Sequence, residues 1–313
     1  MNALPEPLHR AITNMLGAPV TGATRLSGGM INHATRVDTT RGPVFVKWQQ
    51  DAPPRFFESE ATGLRLLRRF CPLRVPEVLG SGSCPVGKKG TGRIAFLVLE
   101  YLEPCHPSEP VRFARQFGEG LATLHRETYP EFTGGFGLPE SGYIGVLPQI
   151  NEPLPSWPEF YRERRLRVQI ELARQRGLLS SEREFLLMRL LECVEDLLAD
   201  LPSRPVLIHG DLWSGNYLAV GNEPVLIDPA VHYAEREVEI AYMELFGGFP
   251  HGVLEAYQAH YPLEPGYRHR RPLHQLYPLL VHLNLFGETY GPSVEAICRH
   301  YLQQERSGGA ARW

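Results

Sequence analysis

Apolar and polar residues follow two rhythms along this chain, and the change between them falls near Pro104. Residues 5–17 carry apolar positions at helical spacing and are closed by Gly17 and Pro19. From Thr24 to Val37 the pattern is strand, Gly-Gly turn, strand. Arg41-Gly42-Pro43 turns the chain again, and Val44-Phe45-Val46-Lys47-Trp48 is a third strand of β-branched and aromatic residues. Phe57, Leu64 and Leu67 then share one helical face. Residues 75–79 and 94–102 read as two paired strands. Beyond the break at 104–110 the period becomes helical. Phe113, Phe117, Leu121 and Leu124 mark a helix over 111–127, with Ser108 as its expected N-cap. Residues 128–155 form a long Gly/Pro-rich loop, of a length that more often serves function than not. Ser156-Trp157-Pro158-Glu159 is a capping box that opens a helix to about Gly177. Ser181-Glu182-Arg183-Glu184 is expected to cap the next helix, whose apolar side is Leu187, Leu190, Leu191, Val194 and Leu198. Segments 235–247, 251–261, 272–286 and 292–304 continue the helical pattern. The expectation is an α+β protein of two lobes. Residues 1–103 form an antiparallel β-sheet lobe with one helix against it, and residues 104–313 a mostly helical lobe.

Composition narrows the classes without choosing among them. At 313 residues and 43% hydrophobic content the chain can bury a sizeable core. A net charge of −3 gives no general attraction to nucleic acid or to an anionic membrane. The longest apolar candidate, 276–287, is broken by His282 and Asn284, so no membrane span is expected. The N-terminal residues lack the basic flank and apolar run of a signal peptide, which points to the cytoplasm. Cys71, Cys84, Cys105, Cys193 and Cys298 are odd in number, widely spaced and without CxxC, as suits reduced thiols rather than a disulfide frame or structural zinc.

The chemistry gathers around Val206-Leu-Ile-His-Gly-Asp-Leu-Trp-Ser-Gly-Asn216. An apolar strand runs into His209-Gly210-Asp211, and Asn216 follows Asp211 by five positions. Twelve residues later a second apolar run, Pro224-Val225-Leu226-Ile227, delivers Asp228. Kinase-type phosphoryl transfer needs this set: one carboxylate for the hydroxyl proton, and an Asn and a second carboxylate for Mg²⁺. Asp211 is the expected base, with Asn216 and Asp228 as the expected metal ligands. Lys47 on its strand is the expected phosphate partner, because a half-buried Lys without a partner is costly. Glu60 is the expected carboxylate that orients it, with Glu58 as the rival. Gly28 and Gly29 are the expected phosphate-covering turn, although they lack a full G-x-G-x-x-G. Gly82 to Lys89 falls one residue short of a Walker A match and joins two strands rather than opening a helix, so it is rejected as a phosphate site. His209 is expected to brace its loop rather than to exchange protons. Trp213 either stacks on substrate or plugs the lobe interface, and Trp157, Phe160 and Asn151 are weaker candidates for the substrate wall. The arginines at 162, 164, 165, 167, 174 and 176 are expected to be solvated and ion-paired.

Several of these stretches together resemble the fructosamine (ketosamine) kinase family, within the aminoglycoside-phosphotransferase branch of protein-kinase-like folds. The resemblance runs from about Gly28 to Ile297. It is carried by Val44-Phe-Val-Lys47, Phe57-Glu-Ser-Glu60, Leu97-Val-Leu-Glu-Tyr-Leu102 and Leu121-Ala-Thr-Leu-His125. Pro148-Gln-Ile-Asn151, Trp157-Pro-Glu-Phe-Tyr161, His209-Gly-Asp-Leu-Trp-Ser-Gly-Asn216, Ile227-Asp-Pro-Ala230 and Phe246-Gly-Gly-Phe249 carry the rest. The resemblance implies a protein-kinase-like two-lobe fold and ATP- and Mg²⁺-dependent phosphorylation of the sugar 3-hydroxyl of a ketosamine, small or protein-bound, followed by deglycation. It also implies that adenine meets main-chain groups at Glu100 and Leu102. No nucleic acid or membrane partner is implied, and a monomer is favoured. The turn Ser27-Gly-Gly-Met-Ile-Asn-His33 lacks the Cys that several members carry there, so a thiol switch at that place is not expected. Alternatives are a phosphotransferase for an aminoglycoside, choline or homoserine, and a pseudokinase acting as a binding module. A protein Ser/Thr kinase is disfavoured, because Asp228-Pro-Ala lacks Phe-Gly and no Ala-Pro-Glu follows.

Overall fold

The computed structural model describes residues 4–26, 32–86, 92–128 and 134–306, the side chains of 304–306 excepted. Gly28, Gly29 and the Gly87-Lys88-Lys89 turn lie outside the described residues.

The first part of the chain is α1 (Glu6–Leu16), β1 (Val20–Arg25), β2 (His33–Thr39), β3 (Gly42–Gln50), α2 (Phe56–Phe70), β4 (Val78–Val86) and β5 (Gly92–Glu100). The strands form one antiparallel sheet in the order β1-β2-β3-β5-β4. Alternation along β2 and β3 puts Val37, Val44 and Val46 under α1, which adds Leu8 and Ile12. The opposite face carries Lys47, Leu97 and Leu99 toward α2. The segment from Gly82 to Val86, read as a link, belongs to β4 and pairs with β5, and that strand begins at Val78 rather than Val75.

The second part contains α3 (Pro110–Glu127), the hairpin β6 (Gly142–Ile144) and β7 (Leu147–Gln149), α4 (Trp157–Phe160), a π-helical turn (Tyr161–Leu166), α5 (Arg167–Gln175) and α6 (Ser181–Leu197). Then come β8 (Val206–Ile208), β9 (Tyr217–Val220), β10 (Glu223–Leu226), β11 (His232–Ala234), α7 (Glu237–Phe246), α8 (Val253–His260), α9 (Tyr267–Phe286) and α10 (Gly291–Arg306). Four boundaries differ from expectation. Ser108 does not cap α3; its hydroxyl bonds the side chain of Asn222, and Pro110 opens the helix. The cap of α6 is Ser180, which accepts from the Arg183 N–H, one residue before the expected Ser181. The long loop is not structureless, because β6 and β7 pair within it. Helix α9 begins at Tyr267 and keeps Pro272 and Pro278 inside it. Proline removes a ladder donor. Two tyrosine hydroxyls repair the damage. Tyr161 donates to Leu273 O at 2.7 Å and accepts from Tyr277 N at 3.3 Å. Tyr301 donates to His269 O and accepts from Leu273 N at 3.1 Å.

Two cores hold this region together. Phe57, Ala61, Leu64 and Leu67 of α2 join Phe113, Phe117 and Leu121 of α3 and Leu207 and Leu226 in one apolar cluster, so the sheet and the helical part share a core. Trp157, Phe160, Leu187, Leu190, Leu273 and Leu276 build the other. Close packing of α3 on α8 needs Gly118, where a Cβ would meet Val253 O at 2.2 Å. No helix among the described residues is long and apolar enough to cross a membrane.

Candidate active site

A cavity of about 950 Å³ opens between the sheet and the helical part. Ala34, Lys47 and Leu99 line one end, and Asp211, Asn216 and Asp228 lie across from them. That volume is at the upper end of ordinary ligand sites.

Each element delivers one group. Strand β3 carries Lys47, and the next helix, α2, turns Glu60 back under it. The Lys47 ammonium donates to Glu60 Oε1 at 2.8 Å and lies 3.1 Å from Asp228 Oδ1. Glu60 rather than Glu58 is therefore the partner. Lys47 is 6% exposed. Burial works against its charge, but Asp228 and Glu60 outweigh burial and hold its pKa above the usual lysine value.

Strand β8 ends at Ile208 and launches the loop that carries His209, Asp211 and Asn216. Gly210 turns it at φ +82, where a Cβ would meet Ala230 O at 2.2 Å. Asp211 is gripped at both oxygens: Tyr242 donates to Oδ1 at 2.6 Å, and Asn216 Nδ2 donates to Oδ2 at 2.9 Å. Burial pushes the Asp211 carboxyl up to about 7, against the Tyr242 hydrogen bond and helped by repulsion from Asp228. The hairpin β9–β10 returns the chain to Asp228, which sits at φ +55. A left-handed Asp costs backbone energy and persists where its surroundings impose it.

The donor set suits a hard divalent cation. Asn216 uses its amide nitrogen on Asp211, which leaves Oδ1 as its ligand atom. The Asp228 side chain is 38% exposed and lines the cavity. One amide oxygen and one carboxylate are the oxygen ligands that Mg²⁺ prefers.

His209 braces the loop. Its Nε2 donates to Ile227 O at 2.7 Å, and its Nδ1 accepts from Asp211 N at 3.3 Å. Those partners fix a neutral tautomer, and burial lowers its pKa in agreement. Sequence reasoning missed what holds the loop from below. Glu239 on α7 accepts from Gly210 N at Oε1 (2.8 Å) and from His209 N at Oε2 (3.1 Å), and His125 Nε2 lies 3.0 Å from that same Oε2. The available signal was a carboxylate set between Val238 and Ile240 in an apolar run. Tyr242, one turn further along the same helix, carried no local signal at all.

The other expected residues divide. Glu100 and Leu102 line the cavity at the end of β5. The Glu100 carboxylate is bound by Arg74 at 2.6 Å and by Glu77 N at 3.3 Å, and its own N–H donates to Glu77 O at 2.9 Å, so a main-chain contact from it to a ligand would fall to its carbonyl. Trp213 lies on the cavity wall, folded over Gly215, where a Cβ would meet the indole at 2.3 Å. Asn151 also lines the cavity, with Oδ1 held by Arg165 at 2.7 Å. Trp157 does not belong to the wall. It is 2% exposed and packs among Phe136, Phe160, Tyr161 and His274. Phe160, fully buried beside it, is core as well. Arg165 departs from the solvated pattern of its neighbours: it is buried, bonds Ile150 O at 2.6 Å, and lies over Phe160 and Tyr277 without a carboxylate partner.

Comparison with known proteins agrees with this geometry. A family profile described as fructosamine kinase matches residues 6–304. A Lactiplantibacillus plantarum protein named "Probable ketoamine kinase" is 38% identical over 94% of this chain and 100% of its own. An Arabidopsis thaliana "Protein-ribulosamine 3-kinase, chloroplastic" is 32% identical over 95% of this chain and 88% of its own. A Thermobifida fusca protein, whose crystal structure carries a provisional fructosamine-3-kinase name, superposes with a TM-score of 0.81 at 35% identity, covering 95% of this chain and 98% of that one. An aminoglycoside phosphotransferase superposes with a TM-score of 0.63 at 16% identity, over 94% of this chain and 98% of that one, a likeness of fold alone.

Proposed function

The chain belongs to the fructosamine kinase family, and from that premise we propose that it transfers the γ-phosphoryl group of ATP to the 3-hydroxyl of a ketosamine. The observation that carries the reading is the meeting of Lys47 and Asp228 at 3.1 Å in the cavity that also holds Asp211 and Asn216. In this reading residues 1–103 form the nucleotide lobe and residues 104–313 the acceptor lobe. The five cysteines, all free, suit a cytoplasmic enzyme.

The roles follow from charge and reach. The acceptor oxygen bonds the γ-phosphorus as the bridging P–O bond to ADP breaks, and the hydroxyl proton passes to Asp211. Because the transition state is loose, Asp211 acts chiefly by holding that hydroxyl in line. Lys47 places positive charge against the phosphates, and Glu60 keeps its ammonium from swinging away. Asp228 and Asn216 Oδ1 would hold Mg²⁺, which neutralises phosphate charge when bound. Main-chain groups at Glu100 and Leu102 would take the adenine edge. Trp213, and Asn151 with Arg165 behind it, face the acceptor side.

The test is direct incubation with Mg·ATP and ketosamines of different sugar length, with an aminoglycoside, choline and homoserine as counter-acceptors. ADP release on ketosamines, with the new phosphate located at O3 by NMR, is the expected result. Turnover on a counter-acceptor alone would overturn the acceptor assignment.

A further inference from the structure

Beneath the candidate base lies a contact that the reading above leaves unexplained. We infer that Tyr242 is a positioning residue for phosphoryl transfer: its hydroxyl, opposite the Asn216 amide, locks the plane of the Asp211 carboxylate toward the acceptor hydroxyl. The inference rests on that reading for the role of Asp211.

The geometry is specific. Tyr242 is 5% exposed, lies on the cavity wall and packs its ring edge against Phe246 at 5.4 Å. Its hydroxyl donates to Asp211 Oδ1 at 2.6 Å, its one side-chain hydrogen bond among the described residues. The tyrosines that brace α9 behave differently. Tyr161 and Tyr301 give their hydroxyls to main-chain carbonyls of the proline-bearing α9. Tyr242 gives its hydroxyl to the one carboxylate assigned to the acceptor.

A carboxylate held at one oxygen pivots about its Cβ–Cγ bond. Asp211 is held at both, by a phenol on one side and an amide at 2.9 Å on the other. Each oxygen keeps a second lone pair, so the clamp fixes orientation without filling the place the acceptor hydroxyl needs. Helix α7 also sets where the loop sits, because Glu239 on the same helix binds the N–H groups of His209 and Gly210. Base and clamp therefore move as one body. No contact links Tyr242 to Lys47 or Asp228 among the hydrogen bonds and ion pairs of the described residues, so the nucleotide end is independent of it.

The experiment is a cycle of Tyr242→Phe, Asp211→Asn and the double variant, assayed with a ketosamine and Mg·ATP, using enzyme in excess where turnover is slow. Tyr242→Phe keeps the ring and its packing. Its kcat is expected to fall about 10- to 100-fold, the effect of losing a hydrogen bond to a charged group that must be aligned. The KM for ATP is expected to stay within about two-fold of the parent, since that binding does not use the clamp. In the Asp211→Asn background the same change should remove little more, because the carboxylate it acts through is gone. A parent-level kcat in Tyr242→Phe, or an equal fold-loss in both backgrounds, overturns the inference. A parent silent on ketosamines but active on a counter-acceptor sinks the acceptor assignment instead, and the cycle is then read on that acceptor.

Discussion

At the end of the cavity proposed for phosphate the side chains are charged or bound to a charge; at the end proposed for the acceptor the wall is rings and amides on a hairpin, a loop and the proline-bearing α9. Lys47, Glu60 and Asp228 meet within 3.1 Å, and Asp211 is gripped from two sides. Trp213, Gln149, Asn151, His282 and Phe286 also line the cavity, and the one side-chain bond of Gln149 among the described residues is a long one of 3.4 Å to Tyr277. Opposed charges favour one arrangement, because an unpaired Lys47 would be a buried charge. Rings and amides define a shape that tolerates adjustment. The contrast predicts that the first end governs turnover and the second governs which acceptor binds.

The largest expected break is at the base and the metal position. Asp211→Asn or Asp228→Asn should lower kcat on the order of 10²- to 10³-fold or more, measured as ADP release with a saturating ketosamine. A parent-like rate in either would remove the distinction between the two ends. Next comes the orienting pair. Glu60→Gln should cost about ten-fold in kcat/KM for ATP, while Glu58→Gln should leave it near the parent, since a hydrogen bond to a charged partner contributes about 1.5–3 kcal/mol and, of the two glutamates, it is Glu60 that bonds Lys47. Equal effects would mean that the ion pair does not orient Lys47.

Two tryptophans sharpen the acceptor side. Trp213→Ala should raise the acceptor KM about ten-fold with little change in Tm, the size of one lost stacking contact. Trp157→Ala should do the reverse, costing about 3–5 kcal/mol of stability as a buried aromatic removed from a packed core. If urea melts show the larger loss for Trp213, the two assignments are exchanged.

The smallest expected effect lies at the start of α7. Glu235, just before α7, is pushed up to about 8 by burial and by the neighbouring Glu237. Its folded-state pKa lies above the ordinary carboxyl value. The native state therefore holds the proton more tightly than the unfolded chain does. Its contribution to stability is complete below the ordinary carboxyl range and is lost as pH rises through about 8. Glu235→Gln should flatten the loss of stability from the ordinary carboxyl range up to about pH 8 in urea titrations; an unchanged slope there would sink this account.

Much of the site was legible because its chemistry demands fixed spacings along short strands and turns. The five positions from Asp211 to Asn216 and the hairpin to Asp228 are local, and so was the conflict of a Lys on a half-buried strand. The cap of α6 is legible to within one residue, Ser180 in place of Ser181, because neighbouring serines offer the same bond, whereas Ser108 fails as a cap because its hydroxyl bonds the distant Asn222. Pro272 was taken as a helix start because local rules forbid proline inside a helix; only the distant Tyr301 hydroxyl makes it tolerable there. Trp157 and Trp213 looked alike in sequence, since an indole suits a core and a ligand wall equally.

From residue order alone came the sheet-then-helix plan, the Lys47–Glu60 pair and the Asp211, Asn216 and Asp228 set, each specified by period or by a charge that needs a near partner. Tertiary packing alone decided that Glu239 and Tyr242, many positions downstream, reach the catalytic loop, that Arg165 lies buried against Asn151, and that Trp157 is core. A hydrogen-bond partner distant in the chain leaves no periodic mark, because its role depends on how helices cross and not on what surrounds it in order.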